Sequence, residues 1–327
     1  MPGGADAYKF ALRAATTTDL TPDEIHQLGL RMVNEIEGRM DKILRELGHV
    51  EGPVRDRLAR VRESAKVFPG TEEGRKQYIA EIERIMADAE RRGALLFDRV
   101  PAAKVIARPY PEFVGPRAPS YTLAASDGSR PGAYQFPVYG VPLTTFGLRS
   151  VVYHEAIPGH HFQGALQMED ANLPRFLRLR IFGNNSAIGE GWGLYAERLA
   201  AEEGWYEGDR VGLLGQLDAS LFRAKRLVVD TGLHAKRWTR QQAIEYLGPN
   251  PAGSATAEAD RYIVMPGQAC SYMIGELKIV ELRERAKKEL GPAFSLREFH
   301  NAVLATGRVS LRMLEDEVVR WTRARKG

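Results

Sequence analysis

The sequence predicts a mainly helical protein with a small antiparallel sheet placed before its central helices. Apolar residues recur at helical spacing from Thr21 to Phe97, and the helical pattern returns after Pro142. Between these regions the chain is rich in proline and glycine and holds only short β-prone pieces. No repeat or linker divides the chain. We therefore expect one unit with N-terminal helices (1–100), the sheet (101–141), and central and C-terminal helices (142–327).

The first long helix is predicted from its capping signals. Thr21 precedes Pro22 and Glu24, so a capping residue, a proline in the first turn and an early acidic residue coincide. Apolar residues then follow at spacings of three, four or seven, namely Ile25, Leu28, Met32, Ile36 and Ile43. Two more helices are expected, over residues 54–66 and 72–92.

The later helices are predicted from apolar stripes. One stripe contains Leu214, Leu217, Leu221 and Val228, and comparable stripes run over residues 271–289 and 296–322. A stripe at this spacing buries one face of a helix against its neighbours. The second half of the chain is therefore expected to consist of amphipathic helices that share a core.

Composition excludes several classes of protein. With 327 residues, 44% hydrophobic and 27% charged, the chain has the make-up of a soluble globular protein. The formal charge is only +4 and acidic residues accompany the basic ones, so we expect no nucleic-acid partner. The longest uncharged run, residues 131–148, is broken by prolines and glycines, so we expect no membrane span. The N-terminus has no apolar signal segment, which predicts a cytoplasmic protein.

The cysteine and histidine content narrows the kinds of metal site available. A single cysteine, Cys270, excludes an intramolecular disulfide and a thiolate metal cluster. Histidine is concentrated in the segment Tyr-His-Glu-Ala-Ile-Pro-Gly-His-His of residues 153–161. A His-Glu pair followed by further histidines is the arrangement in which zinc hydrolases bind one ion and use the glutamate as general base. His154 and Glu155 are therefore the candidate ligand and the candidate base.

The second imidazole ligand is either His160 or His161. In the usual His-Glu-x-x-His pattern this ligand would lie four residues after His154, but that position is Pro158. His161, seven residues on, returns to the same face of a regular helix. Pro158 distorts the turn, so a bulge there would instead bring His160 into the ligand position. We favour His160, and assign His161 to an alternative ligand or a substrate contact.

A third ligand is expected from the segment Gly-Glu-Gly-Trp-Gly-Leu-Tyr-Ala-Glu of residues 189–197. Glu190 and Glu197 are seven residues apart and share one helix face. Each of the three glycines costs a helix roughly 1 kcal/mol relative to alanine, which indicates close approach to another backbone. We favour Glu190 as the ligand and Glu197 as the hydrogen-bond partner of a ligand histidine.

These two motifs resemble those of the bacterial domain-of-unknown-function family 885, which is grouped with the gluzincin-like metallopeptidases. Residues 16–29, 127–132, 228–234 and 261–275 also resemble blocks of that family, so the resemblance covers almost the whole chain. It implies a helical zincin-like (gluzincin) metallohydrolase fold with one zinc ion on His154, His160 and Glu190 and with Glu155 as base. Members of the family are usually longer, so this chain resembles their C-terminal catalytic part, and many are exported lipoproteins.

Other residues are candidates for catalysis and for contacts with a substrate. Tyr272 is the candidate oxyanion donor, with Gln268 on the same face and Tyr262 in reserve. Asp230 and His234 lie four residues apart and are expected to form a carboxylate–imidazole pair that acts in catalysis or behind the metal. A guanidinium group suits a substrate carboxylate, and the candidates for that contact are Arg223, Arg226 and Arg261.

The predicted function is hydrolysis by a zinc-dependent enzyme, first of all a metallopeptidase or a carboxypeptidase-like amidase. Residues 127–136 are expected to supply an edge strand that pairs with a substrate backbone. Because the motif specifies an activated water and no leaving group, a hydrolase of non-peptide amides or esters is the alternative. A non-catalytic helical scaffold is the second alternative, although a scaffold has no need of Glu155. A homodimer is the candidate assembly.

Overall fold

The computed structural model describes residues 3–181, 185–248 and 254–326, and this part of the chain is mainly helical, as predicted. Its helices are α1 (Gly4–Thr16), α2 (Pro22–Glu46), α3 (Val54–Ser64), α4 (Glu72–Leu96), α5 (Leu148–Glu155), α6 (His160–Glu169), α7 (Arg175–Arg178), α8 (Ser186–Glu202), α9 (Arg210–Ala235), α10 (Arg240–Leu247), α11 (Ala255–Val264), α12 (Ser271–Leu290), α13 (Leu296–Leu304) and α14 (Leu311–Lys326). Its strands are β1 (Val67–Phe68), β2 (Val105–Pro109), β3 (Ser120–Thr122), β4 (Gly132–Phe136) and β5 (Leu143–Thr144).

Helix α2 begins where its capping signals predict. The Thr21 side chain accepts a hydrogen bond from the backbone of Glu24, and the Glu24 carboxylate accepts one from the backbone of Thr21 at 2.8 Å. The helix packs along α9, where Nδ1 of His26 lies 2.8 Å from Oγ1 of Thr231. Because α9 also contacts α5, the N-terminal helices support the region that carries the histidine motif.

The sheet is mixed, so the prediction of an antiparallel sheet is wrong for one of its pairings. Strand β4 is central; it runs antiparallel to β3 and parallel to β2, with Val105 opposite Gly132. Residues 110–119 begin beside Phe136 and end opposite Gln135, so they cross from one side of β4 to the other at one end of the sheet. Strand β3 then returns the chain, which allows β2 and β4 to run in the same direction. Because β4 is paired on both sides, the prediction that residues 127–136 supply an edge strand for a substrate is also wrong.

A second, antiparallel pairing joins β1 to β5, with Val67 opposite Thr144. The predicted C-terminal stripe over residues 296–322 forms two helices, because α13 ends at Leu304 and the connection turns at Gly307, whose φ is 69°. Helix α8 contacts α5, α6 and α12, so it lies at the centre of the helical packing. None of the described helices has the length and apolar character needed to cross a membrane.

Candidate metal centre

The histidine motif is divided between two helices. Helix α5 ends at Glu155 and α6 begins at His160. The sequence predicts a bulge within one helix. The helix stops instead, because Pro158 has no amide hydrogen to donate to the carbonyl of His154. The motif therefore places its first histidine at the end of one helix and its next at the start of another.

The break brings the two favoured histidines together. The ring centroids of His154 and His160 are 4.7 Å apart, with the rings nearly perpendicular. The turn between the helices is fastened by Trp192 of α8, whose Nε1 donates to the carbonyl oxygens of Pro158 at 2.9 Å and Gly159 at 3.2 Å. Since Trp192 is fully buried, this contact fixes the turn against α8.

Four side chains converge where α5, α6 and α8 meet. His154, Glu155 and His160 each offer one nitrogen or oxygen atom, and these atoms all lie within 4.8 Å of one another. Oε2 of Glu190 lies 3.3 Å from Nε2 of His154 and 3.5 Å from Nε2 of His160. The cluster thus brings one carboxylate and two imidazoles within 4.8 Å of one another, with a second carboxylate in contact with both imidazoles. Imidazole and carboxylate are ligand types that zinc accepts.

The charges of these groups are set by burial and by one another. Burial raises the pKa of Glu155 to about 7; the charge of His154 opposes this rise and the charge of Glu190 adds to it. Burial also opposes ionisation of Glu190, but hydrogen bonds from His154 and His160 outweigh it and hold the pKa of Glu190 well below its usual range. Burial lowers the pKa of His160 to about 4, so this imidazole is neutral at neutral pH.

Glu197 contacts His154 from the side opposite Glu190. Oε1 of Glu197 lies 2.8 Å from Nδ1 of His154, and the other carboxylate oxygen accepts a hydrogen bond from the hydroxyl of Ser150. Glu197 is 1% exposed, so water does not compete for these bonds. With Nδ1 engaged in this way, Nε2 of His154 is directed at Glu190.

The three glycines of α8 leave room for three different neighbours. A Cβ atom added at Gly193 would lie 2.5 Å from Cε1 and 2.7 Å from Nε2 of His154. One added at Gly191 would lie 2.6 Å from a backbone Cα atom of α12, and one at Gly189 would lie 2.9 Å from Nη1 of Arg308. The expected close approach to another backbone is therefore found at Gly191. At Gly189 and Gly193, side chains occupy the space instead.

His161 lies beside the sheet. Its Nδ1 is 2.9 Å from the hydroxyl of Tyr121 on β3, and the two rings meet edge to face with centroids 5.5 Å apart. Burial lowers the pKa of His161 to about 4, so it is a neutral hydrogen-bonding group at neutral pH. This placement ties the sheet to α6 and leaves His160 as the histidine of α6 that contacts Glu190.

Asp230 and His234 contact the N-terminal helix α1. Asp230 is fully buried and accepts hydrogen bonds from the hydroxyl of Tyr8 at 2.7 Å and the backbone of Gly267 at 3.0 Å. The ring of His234 stacks on Tyr8 with centroids 4.8 Å apart, and its Nε2 lies 2.9 Å from the carbonyl oxygen of Tyr262. These contacts join α1 and the segment before α12 to α9.

Several predicted substrate contacts gather around Glu258 of α11. Its Oε2 accepts hydrogen bonds from Arg226 at 3.0 Å, from Arg261 at 3.0 Å and from the hydroxyl of Tyr262 at 2.6 Å. The guanidinium of Arg226 also lies over the ring of Tyr272, 4.4 Å from its centroid. Both arginines therefore share one carboxylate that compensates their charge.

Two further predicted substrate contacts lie nearer the helices of the candidate metal centre. Gln268 accepts a hydrogen bond from Arg261 at 2.6 Å and donates one at 3.2 Å to Ser186, the first residue of α8. Arg223 of α9 lies near enough to Glu155 for its positive charge to oppose the rise in the pKa of that carboxyl.

Arg308, which lies between α13 and α14, is a residue of this region that the sequence does not predict. Its positive charge acts on Glu190 and Glu155, so it belongs to the surroundings of the centre. No motif or helical spacing relates this residue to α8. The one local signal is Gly189, because the missing side chain there leaves the space that the guanidinium uses.

Two solved structures are similar to this chain over nearly its full length. A chain described as a "putative lipoprotein" from Colwellia psychrerythraea matches at 40% identity with a TM-score of 0.93, over 99% of this chain and 56% of that one. A "putative lipoprotein of unknown function" from Shewanella oneidensis matches at 19% identity with a TM-score of 0.76, over 96% and 59%, and shows similarity of fold alone. This chain therefore spans less than two thirds of the length of either solved chain.

Sequence comparison assigns the chain to a family. No curated protein matches the chain. A family model described as a bacterial protein of unknown function (DUF885) matches residues 1–318. Because that match covers most of the sequence, the chain belongs to the DUF885 family of bacterial proteins.

Proposed function

We propose that this protein is a zinc-dependent hydrolase that cleaves a peptide or a small amide. The observation that carries the proposal is the contact of Glu190 with Nε2 of both His154 and His160, at the point where Glu155 also lies. Single-zinc hydrolases use two imidazoles and one carboxylate as metal ligands, with a second carboxylate beside them. This set of side chains also supports the gluzincin-like relationship that the motifs imply.

The donor set fits a zinc ion. Glu155 and Glu190 are both only partly exposed, and the charge of Glu190 opposes ionisation of Glu155. A divalent cation would compensate both charges. The neutral state of His160 is the one that binds a metal, and its buried Nδ1 has no hydrogen-bond partner among the described residues. A cation site accounts for these features, whereas packing of a hydrophobic core does not.

Each residue then has a distinct role. A bound zinc ion would supply Lewis acidity, which polarises a carbonyl group and brings the pKa of water toward about 7. His154, His160 and Glu190 would hold the ion, and Glu155 would accept a proton from the attacking water and pass it to the leaving amine. Glu197 would keep His154 in the tautomer that leaves Nε2 free to bind.

The roles of the substrate-binding candidates remain part of the proposal. Tyr272 is the proposed oxyanion donor; its neighbour Arg226 is bound to Glu258, and Gln268 reaches the start of α8. This layer of residues lies between α9, α11 and α12, next to the helix that carries Glu190. We propose that it forms one wall of the substrate cleft.

We also propose a cellular location for the protein. The two solved relatives are described as "putative lipoproteins", and neither description supports the cytoplasmic location expected from the sequence. We propose that the protein works outside the cytoplasm, on peptides or amides present there.

The proposal is tested by removing and restoring the metal. The purified chain is treated with 1,10-phenanthroline, dialysed, and assayed by mass spectrometry against a set of synthetic peptides and against p-nitrophenyl acetate. We expect peptide cleavage to be lost on treatment and restored by one equivalent of zinc, and the product masses will show whether cleavage is terminal or internal. Cleavage that survives complete metal removal would contradict the proposal. Ester cleavage alone would favour the ester-hydrolase alternative, and no cleavage by the zinc-loaded chain would favour the scaffold.

A further inference from the structure

Two arginine side chains lie against the helices of the metal centre in space left by glycines. The guanidinium of Arg308 lies over Gly189 of α8, where an added Cβ atom would be 2.9 Å from Nη1. The guanidinium of Arg180 lies over Gly164 of α6, where an added Cβ atom would be 2.8 Å from Nη2. Gly189 adjoins Glu190, so at least one of these guanidinium groups is placed directly beside a proposed ligand.

Both arginines have N–H groups that no described residue satisfies. Nε of Arg308 and both Nε and Nη2 of Arg180 are shielded from solvent and have no hydrogen-bond partner among the described residues. Within the same residues, neither guanidinium forms an ion pair with a carboxylate. Arg226 and Arg261 differ in this respect, because both are paired with Glu258. Buried N–H groups of a charged side chain are costly unless a partner satisfies them.

The two positive charges also act on each other. Burial lowers the pKa of Arg180 to about 9, and the charge of Arg308 adds to that effect. Burial lowers the pKa of Arg308 as well, although Glu190 and Glu155 oppose this shift. An anion between the two guanidinium groups would relieve their repulsion and satisfy their free N–H groups.

We propose that Arg180 and Arg308 form a subsite for a carboxylate of the substrate, beside the metal centre. The inference rests on the proposed hydrolase function and names its substrate class: peptides or amides that present a carboxylate, such as a free C-terminus, next to the bond that is cleaved. The planar guanidinium fork binds a carboxylate through two parallel hydrogen bonds, so two such groups distinguish a carboxylate from its neutral amide.

The test compares binding of two probes of nearly equal shape. Hippurate carries a carboxylate and hippuramide carries a neutral amide at the same position. Calorimetric titration of the full chain, with and without zinc, measures the affinity for each. We expect hippurate to bind at least about tenfold more tightly than hippuramide, since hydrogen bonds to charged groups are the stronger ones.

Variants identify the residues responsible. Arg308→Gln and Arg180→Gln should each reduce the preference for hippurate by about tenfold, and Arg308→Lys should retain part of it, because a lysine keeps the charge without the fork. Arg312→Gln, at an exposed arginine of α14, is the matched control and should keep the full preference. Zinc content and the unfolding midpoint of each variant show that it is folded and loaded.

The outcomes separate this inference from the proposed function. Equal affinity for the two probes, or a preference that both Arg→Gln variants keep, would overturn the subsite even if the chain binds zinc and cleaves peptides. Tighter binding of inorganic phosphate than of hippurate would also overturn the carboxylate assignment. A chain that binds no zinc but keeps an arginine-dependent preference for hippurate would contradict the hydrolase and retain the subsite.

Discussion

Glu197 fixes the orientation of His154: its Oε1 lies 2.8 Å from Nδ1 of that ring, in a position that is 1% exposed. The contact joins α8 to α5 and leaves Nε2 of His154 facing Glu190. One helix therefore supplies both the proposed ligand and the residue that orients a second ligand, at positions two turns apart. The geometry of the centre depends on the packing of α5 against α8.

Replacement of Glu197 tests whether the geometry of the centre depends on its contact with His154. We expect Glu197→Gln to lower zinc affinity by about 10- to 100-fold, because residues that hold a metal-binding histidine contribute on that scale. Competition with a chromogenic chelator measures the affinity. Glu203→Gln, at an exposed position just after the same helix, is the control. Equal zinc affinity in Glu197→Gln and the control would contradict the assigned role.

The close approach of His154 to Gly193 leads to a second prediction, about stability and zinc binding. We expect Gly193→Ala to lower the free energy of unfolding by about 1–3 kcal/mol and to weaken zinc binding, because the added Cβ atom would lie 2.5 Å from the ring of His154. Helix propensity alone would act in the opposite direction. Gly38→Ala in α2, where no atom lies within 4 Å of the added Cβ, should raise stability by roughly 1 kcal/mol. Urea unfolding compares the two, and a stabilised Gly193→Ala would show that the ring can move aside.

The proposed base makes a third prediction. Glu155→Gln should lower turnover by at least about 100-fold while the chain keeps its zinc, because the amide has nearly the shape of the carboxylate but cannot accept the proton. Hydrolysis rates and metal content are measured on the same preparation. Loss of zinc together with activity would instead identify Glu155 as a ligand, and full activity would rule it out as the base.

A fourth prediction concerns Glu276 of α12 and the pH dependence of stability. Burial raises its pKa to about 7; Arg198 opposes this rise and the charge of Glu197 adds to it. Since the folded value lies above the unfolded value near 4.5, the native state holds the proton more tightly. The stabilisation from this group is therefore complete below about pH 4.5 and is lost as pH rises through about 7.

Glu276→Gln removes the ionisation and should change the pH profile of stability. The difference in unfolding free energy, variant minus wild type, is expected to increase between pH 5 and pH 8. Urea unfolding across this range measures it, with Glu281→Gln at an exposed position of the same helix as control. A difference that stays constant or decreases with pH would show that Glu276 is ionised throughout.

The sequence predicts the parts of this structure that depend on local rules. The start of α2 follows from Thr21 and Glu24, which cap a helix through contacts three residues apart. The interruption between His154 and His160 is signalled by Pro158, although the pattern could not distinguish a bulge from the separate helices observed. Local chemistry is sufficient for these features, because every partner lies within one or two helical turns.

Features that depend on tertiary packing were not predictable in the same way. The parallel pairing of β2 with β4 depends on the path of residues 110–119, which carries no directional signal. Arg308 reaches the surroundings of Glu190 only because the chain after α13 packs near α8. Two of the three arginines chosen from sequence, Arg226 and Arg261, lie beside Glu258, a partner that helical spacing from the motifs does not reveal.

The central claim is that His154, His160 and Glu190 hold one zinc ion, and metal content tests it most directly. Elemental analysis of the purified chain, loaded with excess zinc and then desalted, should give about one zinc per chain. His160→Ala should reduce this to near zero, and His161→Ala, whose ring contacts Tyr121, should keep most of it. An unmutated chain without zinc, or a His160→Ala variant with undiminished zinc, would contradict the account.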